Sequence, residues 1–190
     1  MRVTKDCFVE DTYFHIYNHT VENLLLFRED ADYLNCLNRF KKKVSTYPAS
    51  VFSYCLMPIH YHFFIRQDSE KPIYRIFNDV FAGYVQYYNR KYERKGVLFQ
   101  NPLQHRILEN NDYALKLSLY IHHNPIKAGL INSPEEWKYS NYLEATNKRN
   151  SILFSNDILN NNDISLEEYE KLMNEYKKSE IEKEIDEYLN

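Results

Sequence analysis

His60 and His62 sit one residue apart in the apolar run MPIHYHFFI, residues 57–65. On a strand, side chains at i and i+2 share a face and stand roughly 6–7 Å apart. Two imidazoles at that spacing can converge on one cation at about 2.0–2.2 Å each. The intervening Tyr61 then points into the core. A His-x-His on a strand also occurs as a plain surface or core pair, and two ligands are too few for a metal. A second group has to come from elsewhere in the chain. LYIHHNP, residues 119–125, offers one. Tyr120 and Asn124 are four apart on a helix and therefore share its face. Asn124 carries an amide oxygen and Tyr120 a hydroxyl, so this face could deliver a ligand and a nucleophile together. Lys116 lies one turn before Tyr120. Spacing alone equally allows Tyr120 to be one of 18 tyrosines packed against a sheet.

Several elements must position these groups. The alternating, aromatic-rich TYFHIYNHT (12–20) predicts a strand. Apolar residues at Tyr33, Leu34, Leu37, Phe40 and Val44 predict a helix over 28–45. Val51–Leu56, a turn at 57–59 and His60–Arg66 form a β-hairpin. Pro72 opens a helix with Ile73, Ile76, Phe77, Val80, Phe81, Tyr84 and Tyr88 on its apolar stripe. Gln104–Leu108 reads as a short strand. Asn110, Asn111 and Asp112 supply caps for a helix through about His123, which stops there because Pro125 disfavours helical geometry at Asn124. Mixed strands and helices of this kind predict an α+β fold with an antiparallel sheet.

Bulk properties bound the function. The chain has 190 residues, enough for one domain with an appendage. Its apolar runs are too short for a bilayer, and MRVTKDCFVED lacks a signal segment, so the expected location is cytoplasmic. Cys7, Cys36 and Cys55 form no CxxC pair, which argues against a thiolate site or a disulfide framework. Net charge is −3, but it is uneven. Residues 1–147 carry +2 and residues 148–190 carry −5. We divide the chain there, into a domain (1–147) and an acidic linker with a helical tail (148–190), the helix starting at SLEE (165–168). The tail could pack on the body, bridge an oligomer, or mimic DNA.

Four motifs in order, LMPIHYHFF, the segment Tyr84–Gln100, YIHHNPIKAGL and EEWKYSNY, resemble those of the REP-associated tyrosine transposases, within the HUH single-tyrosine superfamily. The resemblance covers about residues 10–145. It implies a ferredoxin-like antiparallel sheet with helices packed on it, a divalent metal (Mg²⁺ or Mn²⁺), hairpin-containing single-stranded DNA as substrate, and a 5′-phosphotyrosine intermediate. Carried over residue by residue, it implies His60, His62 and Asn124 as metal ligands and Tyr120 as nucleophile. A tyrosine hydroxyl has a reference pKa near 10, so the metal and Lys116 would have to favour the phenolate. Arg66, Arg90, Lys91, Arg106 and Lys116 are the candidate DNA contacts. Tyr84, Tyr87 and Tyr88 stand next in line as nucleophiles. NPLQHR (101–106) departs from the family's basic-aromatic stretch, and His19 stands where the family usually has Arg. A binding module that holds DNA hairpins without catalysis is the second reading. No membrane partner is expected, and monomer and dimer remain equally open.

Overall fold

The computed structural model describes residues 8–108, 112–150, 153 and 164–176. In chain order its regular elements are β1 (Tyr13–His19), α1 (Asp30–Val44), β2 (Ala49–Leu56), β3 (His60–Gln67), α2 (Tyr74–Lys91), β4 (Gln104–Ile107), α3 (Asp112–Lys127), the short α4 (Tyr142–Ala145) and α5 (Leu166–Glu175). Single 3-10 turns lie at Val21–Asn23 and Pro134–Glu136. The sheet order is β2-β3-β1-β4, with every pairing antiparallel. A βαββαβ chain in this order is the ferredoxin-like arrangement the motifs implied.

Strand alternation divides the side chains between two layers. Phe14 and Ile16 of β1 and Tyr61, Phe63 and Ile65 of β3 face α1 and α2, where they pack with Phe40, Phe77 and Tyr84. The opposite face receives α3, through Phe52, Cys55, Met57 and Phe64 against Ala114, Leu117 and Ile121. His60, His62 and Arg66 share the α3 face with Phe64. Tyr13, His15, Tyr17 and His19 of β1 point the same way. Helix α1 starts on a capping box in which Glu29 and Asp32 exchange hydrogen bonds, and it ends on Lys41, Lys42 and Lys43, the charges its C-terminal dipole favours. The β2–β3 turn closes with Met57 N–H donating to the His60 carbonyl at 2.9 Å. Gly96, with φ +95°, makes the left-handed bend after α2.

The boundary that differs most from the sequence reading is the end of α3. Helix α3 does not stop at His123 but runs through Pro125 to Lys127. Proline fixes φ near the helical value, and here it removes one N–H in the final turn. The turn continues from the carbonyls that follow: Ala128 N–H donates to Asn124 O at 3.0 Å and Leu130 N–H to Pro125 O at 3.0 Å. The capping residues Asn110 and Asn111 and the linker at 156–163 lie outside the described residues.

Helix α5 begins where SLEE predicted, with Ser165 Oγ accepting from Glu168 N–H at 3.1 Å. It lies against α3 and α4, and Tyr169, Met173 and Tyr176 share a buried cluster with Leu119, Tyr142 and Ala145. Among the described residues no helix is long and apolar enough to cross a membrane.

Candidate active site

Strand β3 is central, flanked by β1 and β2, so its α3-facing residues sit in the middle of the sheet. The His60 and His62 ring centroids are 5.1 Å apart at an interplanar angle of 81°. Helix α3 brings Tyr120 over them, its ring edge-on to His62 with centroids 5.6 Å apart. Asn124 is buried one turn further on. Its amide nitrogen donates to the Tyr120 carbonyl at 2.8 Å, which leaves the amide oxygen for the site. The four residues singled out by spacing and motif therefore meet at one place.

Two histidines of β1 join them. His15, fully buried, places Nε2 3.0 Å from His62 Nδ1. His19, opposite His60 in the β1–β3 register, stacks on it with centroids 4.5 Å apart. Neither β1 residue could be assigned from local spacing, because the strand register that brings them over is a long-range property. Tyr17 is a further neighbour, its ring 4.8 Å from His15 and 6.1 Å from His62.

Burial dominates the electrostatics. It lowers the His60 pKa to about 4, with nearby His19 adding to the effect and a hydrogen bond with Asn124 opposing it. His62 is held well below its ordinary value, first by burial and then by its histidine neighbours and Lys127. Burial, helped by Arg106, lowers His15 to about 3. All three imidazoles are neutral at physiological pH, the form in which a histidine can ligate a cation. The cluster lacks a carboxylate: among the described residues no three His, Cys, Asp or Glu side chains are grouped to hold a metal ion. Asn124 is the residue here that could supply a third ligand. The buried His60 Nδ1, which has no hydrogen-bond partner, is the kind of atom such a site leaves waiting. Two neutral imidazoles and an amide oxygen form a mixed N/O set that suits Mn²⁺ or Mg²⁺.

The positioning of α3 over the sheet depends on the YSNY segment. Asn141, fully buried, donates its amide N–H to the Phe52 carbonyl at 3.0 Å. Its oxygen accepts Tyr54 N–H at 2.6 Å and contacts His122 Nε2 at 3.0 Å. Because that oxygen can only accept, His122 must donate from Nε2. His122 Nδ1 is then the acceptor for the Tyr169 hydroxyl at 2.7 Å. One asparagine thus bolts α3 to β2 two residues from both Tyr120 and Asn124, and α5 braces the same histidine from outside. Trp137 adds a bond from its indole N–H to Leu56 O at 3.1 Å.

The candidate DNA contacts fall on both sides of the sheet. Arg66 is on the histidine face beyond Phe64, paired with Asp68 at 2.6 Å and lying over the Tyr13 and Phe52 rings. Arg106 of β4 is directly opposite His15. Lys116 lies one turn before Tyr120, with Nζ over the Tyr113 ring at 5.6 Å. Arg90 and Lys91, in the last turn of α2, are across the sheet from the site, and the Lys91 ammonium is held by Asp32 at 2.6 Å and Glu29 at 2.7 Å. Tyr84, Tyr87 and Tyr88 are on that far side too, bonded to Leu26 O, Asp32 and Leu25 O, which removes them as reserve nucleophiles. The cation that does approach Tyr120 is Lys127, with Nζ 5.7 Å from the ring centroid. Seven residues on from Tyr120, it shares that face only because α3 continues through Pro125.

With this geometry described, the chain can be compared with known proteins. No protein-family model matches it. A Haemophilus influenzae protein assigned as a REP-associated tyrosine transposase is 25% identical over 123 residues, 58% of this chain and 69% of that protein. A solved REP-associated tyrosine transposase, bound to a REP hairpin, superposes with a TM-score of 0.66 at 12% identity, covering 83% of this chain and 93% of that one. The chain is similar to REP-associated tyrosine transposases in sequence and in fold. At 12% identity the solved structure speaks to the fold. The sequence relative agrees with the family that the motif order resembles.

Proposed function

We propose that this protein is a metal-dependent transposase-type enzyme that nicks and rejoins hairpin-containing single-stranded DNA through a 5′-phosphotyrosine intermediate. The observation that carries this reading is the meeting of Tyr120 and Asn124 with His60 and His62 on one sheet face. A half-buried tyrosine with only a packing role has no need of two imidazoles and an oriented amide beside it. The hairpin bound to the solved neighbour supports the substrate class.

The chemistry follows from charge development. His60, His62 and the Asn124 oxygen would hold a divalent cation, which when bound supplies Lewis-acid stabilisation of the phosphate's non-bridging oxygens. Tyr120 attacks phosphorus as the phenolate. The bond from the Tyr120 oxygen to phosphorus forms as the bond to the 3′ oxygen breaks. The leaving strand takes a proton as a 3′-OH, and the phenol proton is lost to solvent. Lys127 lowers the cost of the phenolate and of phosphate charge beside it. The phosphodiester energy is retained in the phosphotyrosine, so the same 3′-OH can reverse the step without a nucleotide cofactor. Arg66 and Arg106, on the same sheet face, are suited to guide the flanking backbone. A DNA substrate agrees with the cytoplasmic location expected from the sequence.

The test is covalent trapping on labelled hairpin oligonucleotides from DNA flanking the gene, with Mn²⁺. A labelled protein band lost in both Tyr120→Phe and His62→Ala supports the reading. Tight hairpin binding with no band at all would favour the non-catalytic binding module.

A further inference from the structure

We infer that His15 is a positioning residue for the metal site: it accepts the Nδ1 proton of His62 and so turns the Nε2 lone pair of His62 outward as a ligand. The inference rests on the metal reading above and concerns a residue outside the implied ligand set.

The geometry leaves little choice about the shared proton. His15 Nε2 and His62 Nδ1 are 3.0 Å apart, and the two rings are nearly parallel, with an interplanar angle of 15°. Two facing N–H groups or two facing lone pairs would repel at that distance, so one proton lies between the two nitrogens. If His15 donates it, His62 must carry its own proton on Nε2 and has no lone pair to offer there. If His62 donates it, Nε2 is bare and can ligate. A neutral histidine has one donor and one acceptor nitrogen, so the tautomer of His62 decides whether it is a ligand. Metal-bound histidines generally donate their second N–H to a fixed acceptor, which orients the ring and raises its basicity. Here the atom in that place is the His15 nitrogen.

The cost of His15 also argues for a role. It is fully buried on β1 between Phe14 and Ile16, and it pairs in register with Phe64. Its Nδ1 has no hydrogen-bond partner. A buried polar atom left unpaired costs about 1–3 kcal/mol. A leucine or phenylalanine would suit an apolar strand position without that penalty. The imidazole makes its hydrogen bond to His62 alone among the described residues, so the contact with His62 is what the residue provides.

The experiment measures cation binding directly on the full chain. Mn²⁺ affinity is read by electron paramagnetic resonance for wild type, His15→Leu, His15→Gln and His62→Ala. The tautomer of His62 is read from long-range ¹H–¹⁵N correlations in the Mg²⁺-loaded protein. His15→Leu is expected to weaken Mn²⁺ binding about 10–100-fold. His15→Gln, whose amide oxygen can accept the same proton, should recover part of it, while thermal melting checks that both variants fold. The spectra should show His62 protonated on Nδ1. Mn²⁺ affinity in His15→Leu within twofold of wild type, or His62 protonated on Nε2, overturns the inference and leaves the metal site intact. Wild type that binds no more Mn²⁺ than His62→Ala overturns the metal reading and the inference together.

Discussion

Replacing Asn141 by leucine should loosen α3 from the sheet at a single point. The substitution keeps the side chain's approximate size and removes all of its polar atoms. Three buried groups lose their partner: the Phe52 carbonyl, the Tyr54 N–H and the His122 Nε2–H. A buried group left without a partner costs about 1–3 kcal/mol, so the loss of three should be about 3–9 kcal/mol. Total stability for a domain is roughly 5–15 kcal/mol. With a urea slope of about 2 kcal/mol/M, the midpoint should fall by roughly 1.5–4.5 M. Where the variant is still folded, covalent yield should drop further than the unfolded fraction explains. His122 lies two residues from Tyr120, and a nucleophile misplaced by about 1 Å can lose 10²-fold. Equilibrium urea unfolding and trapping on the same preparations measure both effects. In a double-mutant cycle with His122→Leu, the pair should couple by about 0.5–3 kcal/mol. A midpoint within about 0.5 M of wild type, or additive single changes, would refute the idea that Asn141 anchors the catalytic helix.

Lys127→Met should reduce the rate of covalent adduct formation about 10–100-fold, since a bond from its ammonium to the phenolate or phosphate charge would contribute roughly 1.5–3 kcal/mol. Thermal stability should stay near wild type because Lys127 is exposed, and an unchanged rate would remove Lys127 from the chemistry. Tyr169→Phe leaves His122 Nδ1 without its donor and should cost about 1–3 kcal/mol by urea unfolding. No loss would mean α5 does not brace α3 through that bond. Acid should destabilise the fold through His122, whose pKa burial lowers to about 4. Between about pH 6.5 and 4 the unfolded chain binds the proton that folded His122 refuses. That stability is fully present above pH 6.5 and is lost as pH falls toward 4. His122→Leu should flatten the slope between pH 7 and 5, and an unchanged slope contradicts the assignment.

The parts of the fold that depend on local periodicity could be read directly from sequence. The alternation of HYHFFIR fixed both the strand and the shared face of His60 and His62. The i, i+4 relation of Tyr120 and Asn124 put the proposed nucleophile and ligand on one side of α3. What stayed hidden depends on distant pairings. His15 and His19 reach the site only through the β1–β3 register, and nothing local marks them. Nothing local marks Asn141 either, because its amide is satisfied by β2 and α3 together. The proline rule ended α3 too early. A single missing N–H in a final turn is easily tolerated, and the error concealed Lys127. Arg90 and Lys91 were credible from composition, but the side of the sheet on which α2 packs is a property of the whole fold.

The central claim is that Tyr120 forms a phosphotyrosine with help from a cation held by His60, His62 and Asn124. Mass spectrometry of the trapped, nuclease-digested adduct tests it most directly. The account predicts a nucleotide remnant on Tyr120, formed with Mn²⁺ or Mg²⁺, abolished by EDTA and absent in Tyr120→Phe. A remnant on Tyr17, the other tyrosine packed against His62, or an adduct that forms equally well in EDTA, would contradict it.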